Sequence, residues 1–139
     1  RAGEVLVQTS FPQHPLYGAL ARHDFGAFAT AQLAERQAAG FPPFVSEAVL
    51  RAEARALEEA IDFLKEAREL VEAPGEVTLY DPVPNVITRR AGYERAQLVA
   101  QSASRAALQA FLRSWSEALF ARTARAVRWH LDVDPLGTE

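Results

Sequence analysis

An α+β fold is predicted for this 139-residue chain on three observations. Two segments, "RALEEAIDFLKEARELVE" and "SASRAALQAFLRSWSEALFARTA", carry apolar residues at helical spacing. Short runs in which valine and leucine mix with polar residues precede, separate and follow them. Proline and glycine punctuate the junctions. From residue 44 the order therefore reads β-α-β-β-α-β, the split βαβ or ferredoxin-like arrangement, with two helices on one face of a four-stranded sheet.

Each element follows from its own residues. "GEVLVQT" (3–9) alternates like a short strand, and the prolines of "SFPQHP" break it. "LYGALARHDFGAFATAQLAERQAAG" (16–40) repeats Leu16, Leu20, Phe25, Phe28, Ala29, Gln32 and Leu33 at helical spacing. Asp24 is placed to cap its second segment, and Gly40 to stop it. "FPPF" (41–44) is a stiff connector, because each proline fixes its own φ and restrains the residue before it.

"FVSEAVLRAEA" (44–54) is the first strand of the repeat, with Val45, Ala48, Val49 and Leu50. The helix over 55–72 turns Leu57, Ile61, Leu64 and Val71 inward and its acids to water. "EVTLYDPVP" (76–84) and "YERAQLVAQS" (93–102) are the second and third strands. Ser104 caps the helix over 102–124, with Leu108, Phe111, Leu112, Trp115 and Leu119 inward. "VRWHLDVDP" (127–135) is the final strand. "TRRAGYERAQ" (88–97), with three arginines in ten residues, falls at the connection between the second and third strands.

Composition narrows the function classes. With 49% hydrophobic and 24% charged residues the chain can bury an ordinary core. No apolar run approaches the roughly 20 residues a membrane crossing needs, and no signal-peptide pattern appears. The absence of cysteine excludes disulfides, thiol catalysis and thiolate zinc sites, and makes the cytoplasm the default location. A first residue of Arg1 and no methionine are expected of a piece of a longer protein. Net charge is −3, but unevenly spread: residues 44–76 hold four basic and nine acidic groups, whereas 85–128 hold eight basic groups against Glu94 and Glu117. Such asymmetry points to an anionic partner.

No glycine-rich phosphate loop or nucleophile elbow is present, so no catalytic residue is assigned. His130, Asp132 and Asp134 would share one strand face, and an imidazole with two carboxylates could hold a metal. The competing reading, preferred here, buries Trp129, Leu131 and Val133 and turns the polar three to water. No metal is therefore assigned. His14 and His23 read as local packing or surface residues. The basic turn is the stronger signal. Arg89, Arg90 and Arg95 are placed to contact phosphates, and Tyr93 offers a ring for base stacking. Arg105, Arg113, Arg122, Arg125 and Arg128 extend the positive zone.

"GEVLVQT", the "HP" after it, "LAERQAAGFPPF", "SRAALQ" and "LDVDP", in this order, resemble the C-terminal end of the PriA family of replication-restart helicases (primosomal protein N′). The resemblance covers essentially the whole chain. It implies that residues 1–12 are a remnant of a helicase lobe, 13–43 a helical linker region and 44–139 a C-terminal α+β domain similar to a small ribosomal-subunit protein. It further implies binding of branched or single-stranded DNA, contact with other primosome proteins, and a bacterial, cytoplasmic, nucleoid-associated setting. ATP, magnesium and zinc would be held upstream, in an ATP-dependent 3′-to-5′ helicase, and no cofactor by this chain. "SRAALQ" matches the stretch that holds the acidic tail of the single-stranded DNA-binding protein (SSB), which carries Arg105 and Gln109 over as partner-binding residues. The departure is at "AGYERAQ", where the family is richer in basic and tryptophan residues. Here the resemblance implies an electrostatic grip rather than base stacking. Two other readings stand beside it: a domain that braces the helicase lobes, and a small stand-alone enzyme. The 139-residue chain is expected to hydrolyse no ATP, and DNA-stimulated ATPase in a clean preparation would sink that expectation.

Overall fold

The computed structural model describes residues 3–122 and 126–135, and the chain divides into two compact units, Arg1–Phe41 and Pro42–Glu139. In the first, α1 (Pro15–Ala21) opens with proline, whose missing N–H breaks no helical bond at that position. His14 caps it, Nδ1 accepting from the Leu16 N–H at 3.2 Å. His23 reverses the chain at a φ of 53°, and Asp24 then caps α2 (Phe25–Ala38) by accepting from the Ala27 N–H at 2.9 Å. Gly40 ends α2 at a φ of 65°, with the Phe41 N–H donating to the Arg36 carbonyl at 2.8 Å. The strand expected over residues 3–9 does not form, and Val5 and Leu6 are 85% and 88% exposed. The other elements of this unit are helices, so extended backbone finds no ladder partner within it.

The second unit holds β1 (Ser46–Ala54), α3 (Leu57–Glu69), β2 (Thr78–Leu79), β3 (Val83–Arg90), β4 (Tyr93–Ser102), α4 (Arg105–Ala121) and β5 (Arg128–Val133). All pairings are antiparallel, in the order β5-β1-β4, with β2 and β3 both on the outer side of β4. This is the ferredoxin-like arrangement with its second strand in two pieces. Alternation decides the faces. Ala48, Leu50, Ala52 and Ala54 of β1 and Ala96, Leu98 and Ala100 of β4 are all buried, and the register sets Ala48 against Ala100, Leu50 against Leu98 and Ala52 against Ala96. The small residues on the strands let α3 and α4 approach closely, and the helices supply the bulk. Ala60, Phe63, Leu64 and Ala67 enter from α3, and Leu108, Phe111, Leu112, Trp115 and Leu119 from α4. All five residues expected on the inner face of α4 are there; on α3, Leu64 is fully buried and Leu57 and Ile61 pack partly buried at the margin, as does Val71 just beyond the helix, which ends at Glu69 rather than at residue 72.

Two corrections concern the basic segment. The single strand expected over 76–84 is broken around Tyr80 to Pro82, and the chain pairs again from Val83. Pro84 lacks an N–H and is tolerated because β3 is an edge strand. Between Pro84 and Arg89 the register slips: five steps along β3 face two along β4, from Ala96 to Glu94. The bulge leaves Val86 and Ile87 85% and 64% exposed, which hides any alternation from the sequence. "TRRAGYERAQ" is therefore not a loop between strands. It is the tip of a β3–β4 hairpin, turned by Ala91 and Gly92 alone. Both have positive φ, 51° and 79°, as the two-residue turns that match strand twist require.

Trp115 is fully buried, stacks near Phe111 at 5.3 Å and donates its indole N–H to the Ala67 carbonyl at 2.7 Å. Trp115→Ala is expected to destabilise the domain by about 3–5 kcal/mol. A urea midpoint within error of the wild type would show that the core does not depend on it.

Candidate nucleic-acid and peptide interface

A group of arginines occupies one end of the sheet and Arg105 the other. β1 runs from one to the other over nine residues, about 26 Å at strand rise. At one end, the hairpin register pairs Arg90 with Tyr93 and Arg89 with Glu94. Arg89 is 72% exposed and reaches Glu94 at 3.7 Å, which is a loose contact. Arg90 is exposed and enters no ion pair among the described residues. Arg95 is different. Its side chain is only 16% exposed and meets Glu53 of β1 at 3.3 Å, so its charge is largely answered within the fold. Tyr93, expected to offer a stacking ring, already carries two cations: Cζ of Arg55 and Cζ of Arg128 each lie 4.4 Å from its ring centroid.

This end of the sheet thus gathers Arg55, Arg89, Arg90, Arg95 and Arg128 around Glu53 and Glu94. The sequence singled out the hairpin but missed Arg55. The only signal was its place two residues beyond Glu53, just past the end of β1, where alternation continues the Glu53 face. The rest of the expected positive zone is weaker. Arg122 pairs with Glu66 and lies 5.4 Å over the Phe63 ring, Arg113 is exposed, and Arg125 lies outside the described residues.

At the other end, Ser104 caps α4, its Oγ accepting from the Ala107 N–H at 3.2 Å. Arg105 is the first helical residue and Gln109 follows one turn on; both are exposed. Arg105 Nη2 donates to Asp134 Oδ2 at 2.7 Å. A pocket of about 280 Å³ lies beside this pair, with Pro42, Pro43, Val45 and Pro135 as apolar walls and Glu47 among its lining. Asp134 is held there by backbone: at a φ of 53° it has left the strand, and its N–H donates to the Glu47 carbonyl at 2.9 Å.

The same geometry separates the polar residues of the last strand. Asp134 turns to Arg105 and Asp132 faces Arg51 at 4.0 Å, so the two carboxylates do not converge with His130. No group of three or more such ligands exists among the described residues. The preferred alternative needs one correction as well. Trp129 and Leu131 pack against the core, but Val133 is exposed, because it sits at the strand end beyond the helices' cover. Among the described residues no helix is long and apolar enough to cross a membrane.

Fold and charge together define a small ferredoxin-like α+β module with a cationic hairpin at one end and an arginine-containing pocket at the other. The family described as the primosomal protein N C-terminal domain matches residues 37–136. Over 138 residues, 97% of this chain, it is 35% identical to the replication restart protein PriA of Haemophilus influenzae, of whose length it spans 19%. The proteins of the same name from Treponema pallidum and Synechocystis are 29% and 30% identical over 96% and 70% of the chain, which spans 20% and 12% of their lengths. The chain belongs to the PriA C-terminal domain family.

Proposed function

We propose that this chain is the DNA- and partner-docking domain of a replication restart helicase. On this reading it helps to recognise branched or single-stranded DNA and holds the acidic tail of SSB as the primosome assembles. ATP hydrolysis and metal binding would belong to other parts of the parent protein. Residues 1–12 would complete a helicase lobe and 13–43 connect it to the domain.

The observation that carries the partner reading is the Arg105–Asp134 pair beside a proline-walled pocket. A guanidinium that already grips a carboxylate at the capped start of a helix has the geometry to grip another. An SSB tail offers a terminal carboxylate on an aromatic residue: the first suits Arg105, the second the apolar walls. Gln109, one turn along the same face, is placed for the adjoining peptide backbone. Asp134 must first release Arg105, so it acts as a built-in competitor. The DNA reading rests on the exposed Arg89 and Arg90, with Arg95 and Tyr93 behind them. Because Tyr93 is flanked by guanidinium groups, the grip is electrostatic.

Titration with a labelled acidic peptide ending in an aromatic residue tests the first site. Arg105→Ala is expected to weaken binding by about 1.5–3 kcal/mol, the worth of a charge-assisted contact. Asp134→Asn should tighten it. Affinity unmoved by Arg105→Ala and Gln109→Ala together would place the tail elsewhere. For DNA, alanine at Arg89, Arg90 and Arg95 should lower the magnitude of the log–log salt slope by about 0.7 to 0.9 for each phosphate no longer neutralised. An unchanged slope and affinity would reduce the hairpin to a solvated surface.

A further inference from the structure

We propose that Arg55 and Arg128, mounted together on the Tyr93 ring, form a clamp for nucleic-acid phosphates at the hairpin end of the sheet. The clamp rests on the DNA-binding reading above and names the cations that dominate it. They come from three elements that the sequence keeps far apart. Tyr93 opens β4, Arg128 opens β5, and Arg55 follows the last residue of β1. The register brings them to one place: Glu53 of β1 is flanked by Arg95 of β4 and Arg128 of β5, and Tyr93 and Arg55 lie one pleat further along the same helix-free face. Arg55 also lies against the hairpin turn, its Nη1 being 3.6 Å from where a Cβ on Gly92 would stand.

Three features together favour this pair, the first of them shared with Arg90. First, its charge is not answered. Arg89, Arg95, Arg105 and Arg122 each have a carboxylate partner, whereas neither Arg55 nor Arg128 enters an ion pair among the described residues. An aromatic face attracts a guanidinium but leaves it a full positive charge, with N–H donors free to point at an anion. Second, the pair is ordered in advance. An exposed arginine loses rotamer freedom when it grips a ligand, and stacking on a ring removes part of that loss before binding. Third, two like charges held around one ring repel each other, and an anion set between them relieves the repulsion.

The five arginines at this end outnumber Glu53 and Glu94 by three, and Arg89 and Arg90 continue the cationic edge along the hairpin. A row of separated cations matches the repeated charges of a phosphodiester backbone better than a single carboxylate. Tyr93 is then a mount for the two guanidiniums rather than a platform for bases.

The test is fluorescence anisotropy of labelled single-stranded and forked DNA with the 139-residue chain across a salt series. Arg55→Gln with Arg128→Gln should lower the magnitude of the salt slope by about 1.4 to 1.8, which is roughly 25- to 60-fold in affinity at 0.1 M salt. Tyr93→Leu keeps both charges but not their mount, so binding should weaken several-fold with the slope unchanged. Tyr93→Phe keeps the ring and should bind as the wild type does, which also guards against a folding defect in the leucine variant. If the double variant matches the wild type while alanine at Arg89, Arg90 and Arg95 weakens binding, the clamp is wrong and the hairpin reading stands. If neither set of changes moves DNA binding, the hairpin reading falls and the clamp with it. A Tyr93→Leu protein that binds normally would remove the ring from the proposal.

Discussion

The close approach of α3 and α4 to an alanine-lined sheet face is the constraint on which the remaining geometry depends. Ala48, Ala52, Ala54, Ala96 and Ala100 leave room that Leu64, Phe111, Leu112 and Trp115 fill from above. Interiors pack at near-crystalline density, so a match of this kind between small strand residues and large helix residues fixes the helix positions within narrow limits. Trp115 adds direction to the packing by tying α4 to the Ala67 carbonyl of α3. With the inner face settled, period-2 alternation leaves the other face no freedom: Glu53, Arg55, Tyr93, Arg95 and Arg128 must stand together on it. The cationic end of the sheet is thus a consequence of the core.

That helix-free face is laced across the strands by polar pairs. Gln97 accepts from buried Arg51 at 3.1 Å, Gln101 donates to Glu47 at 2.9 Å, and the Tyr80 hydroxyl donates to Gln101 at 2.8 Å. These bonds tie neighbouring strands together along that face. Charge is arranged differently at the two ends. At the hairpin, arginines outnumber acids. At the start of α4, Arg105 is held by Asp134, a pair that is more exposed than the Arg95–Glu53 contact and open beside a pocket. Both proposed anion sites fall where internal pairing is incomplete or open to exchange.

Much of this was legible in the sequence, and the reason is period and capping. α4 repeats its apolar residues over several turns behind a serine cap, so Leu108, Phe111, Leu112, Trp115 and Leu119 could be assigned without coordinates. Asp24 and Gly40 marked α2 for the same reason. The second strand was misread because Pro82 and Pro84 imitate a terminus and because the bulge exposes Val86 and Ile87. Residues 3–9 carry a strand pattern, but a strand also needs a neighbour, which a local pattern cannot supply. The partners of the arginines were hidden for a similar reason. Arg95 meets Glu53, Arg105 meets Asp134, and Tyr93 meets Arg55 and Arg128 only through registers between strands distant in the chain. Arg105 and Gln109 became visible through family resemblance and a cap, whereas Arg55 carried no motif.

The two proposed anion sites lie about 26 Å apart along β1, well over the Debye length of about 10 Å at 0.1 M salt, so on this reading each should fill without sensing the other. Titration of the acidic tail peptide with and without saturating single-stranded DNA, at constant ionic strength, tests this most directly. Independent ends predict that both ligands bind at once, with the peptide's Kd changed less than about twofold by DNA. Displacement of the peptide by DNA, or binding of either ligand only when the other is absent, would contradict a domain with two separate docking ends.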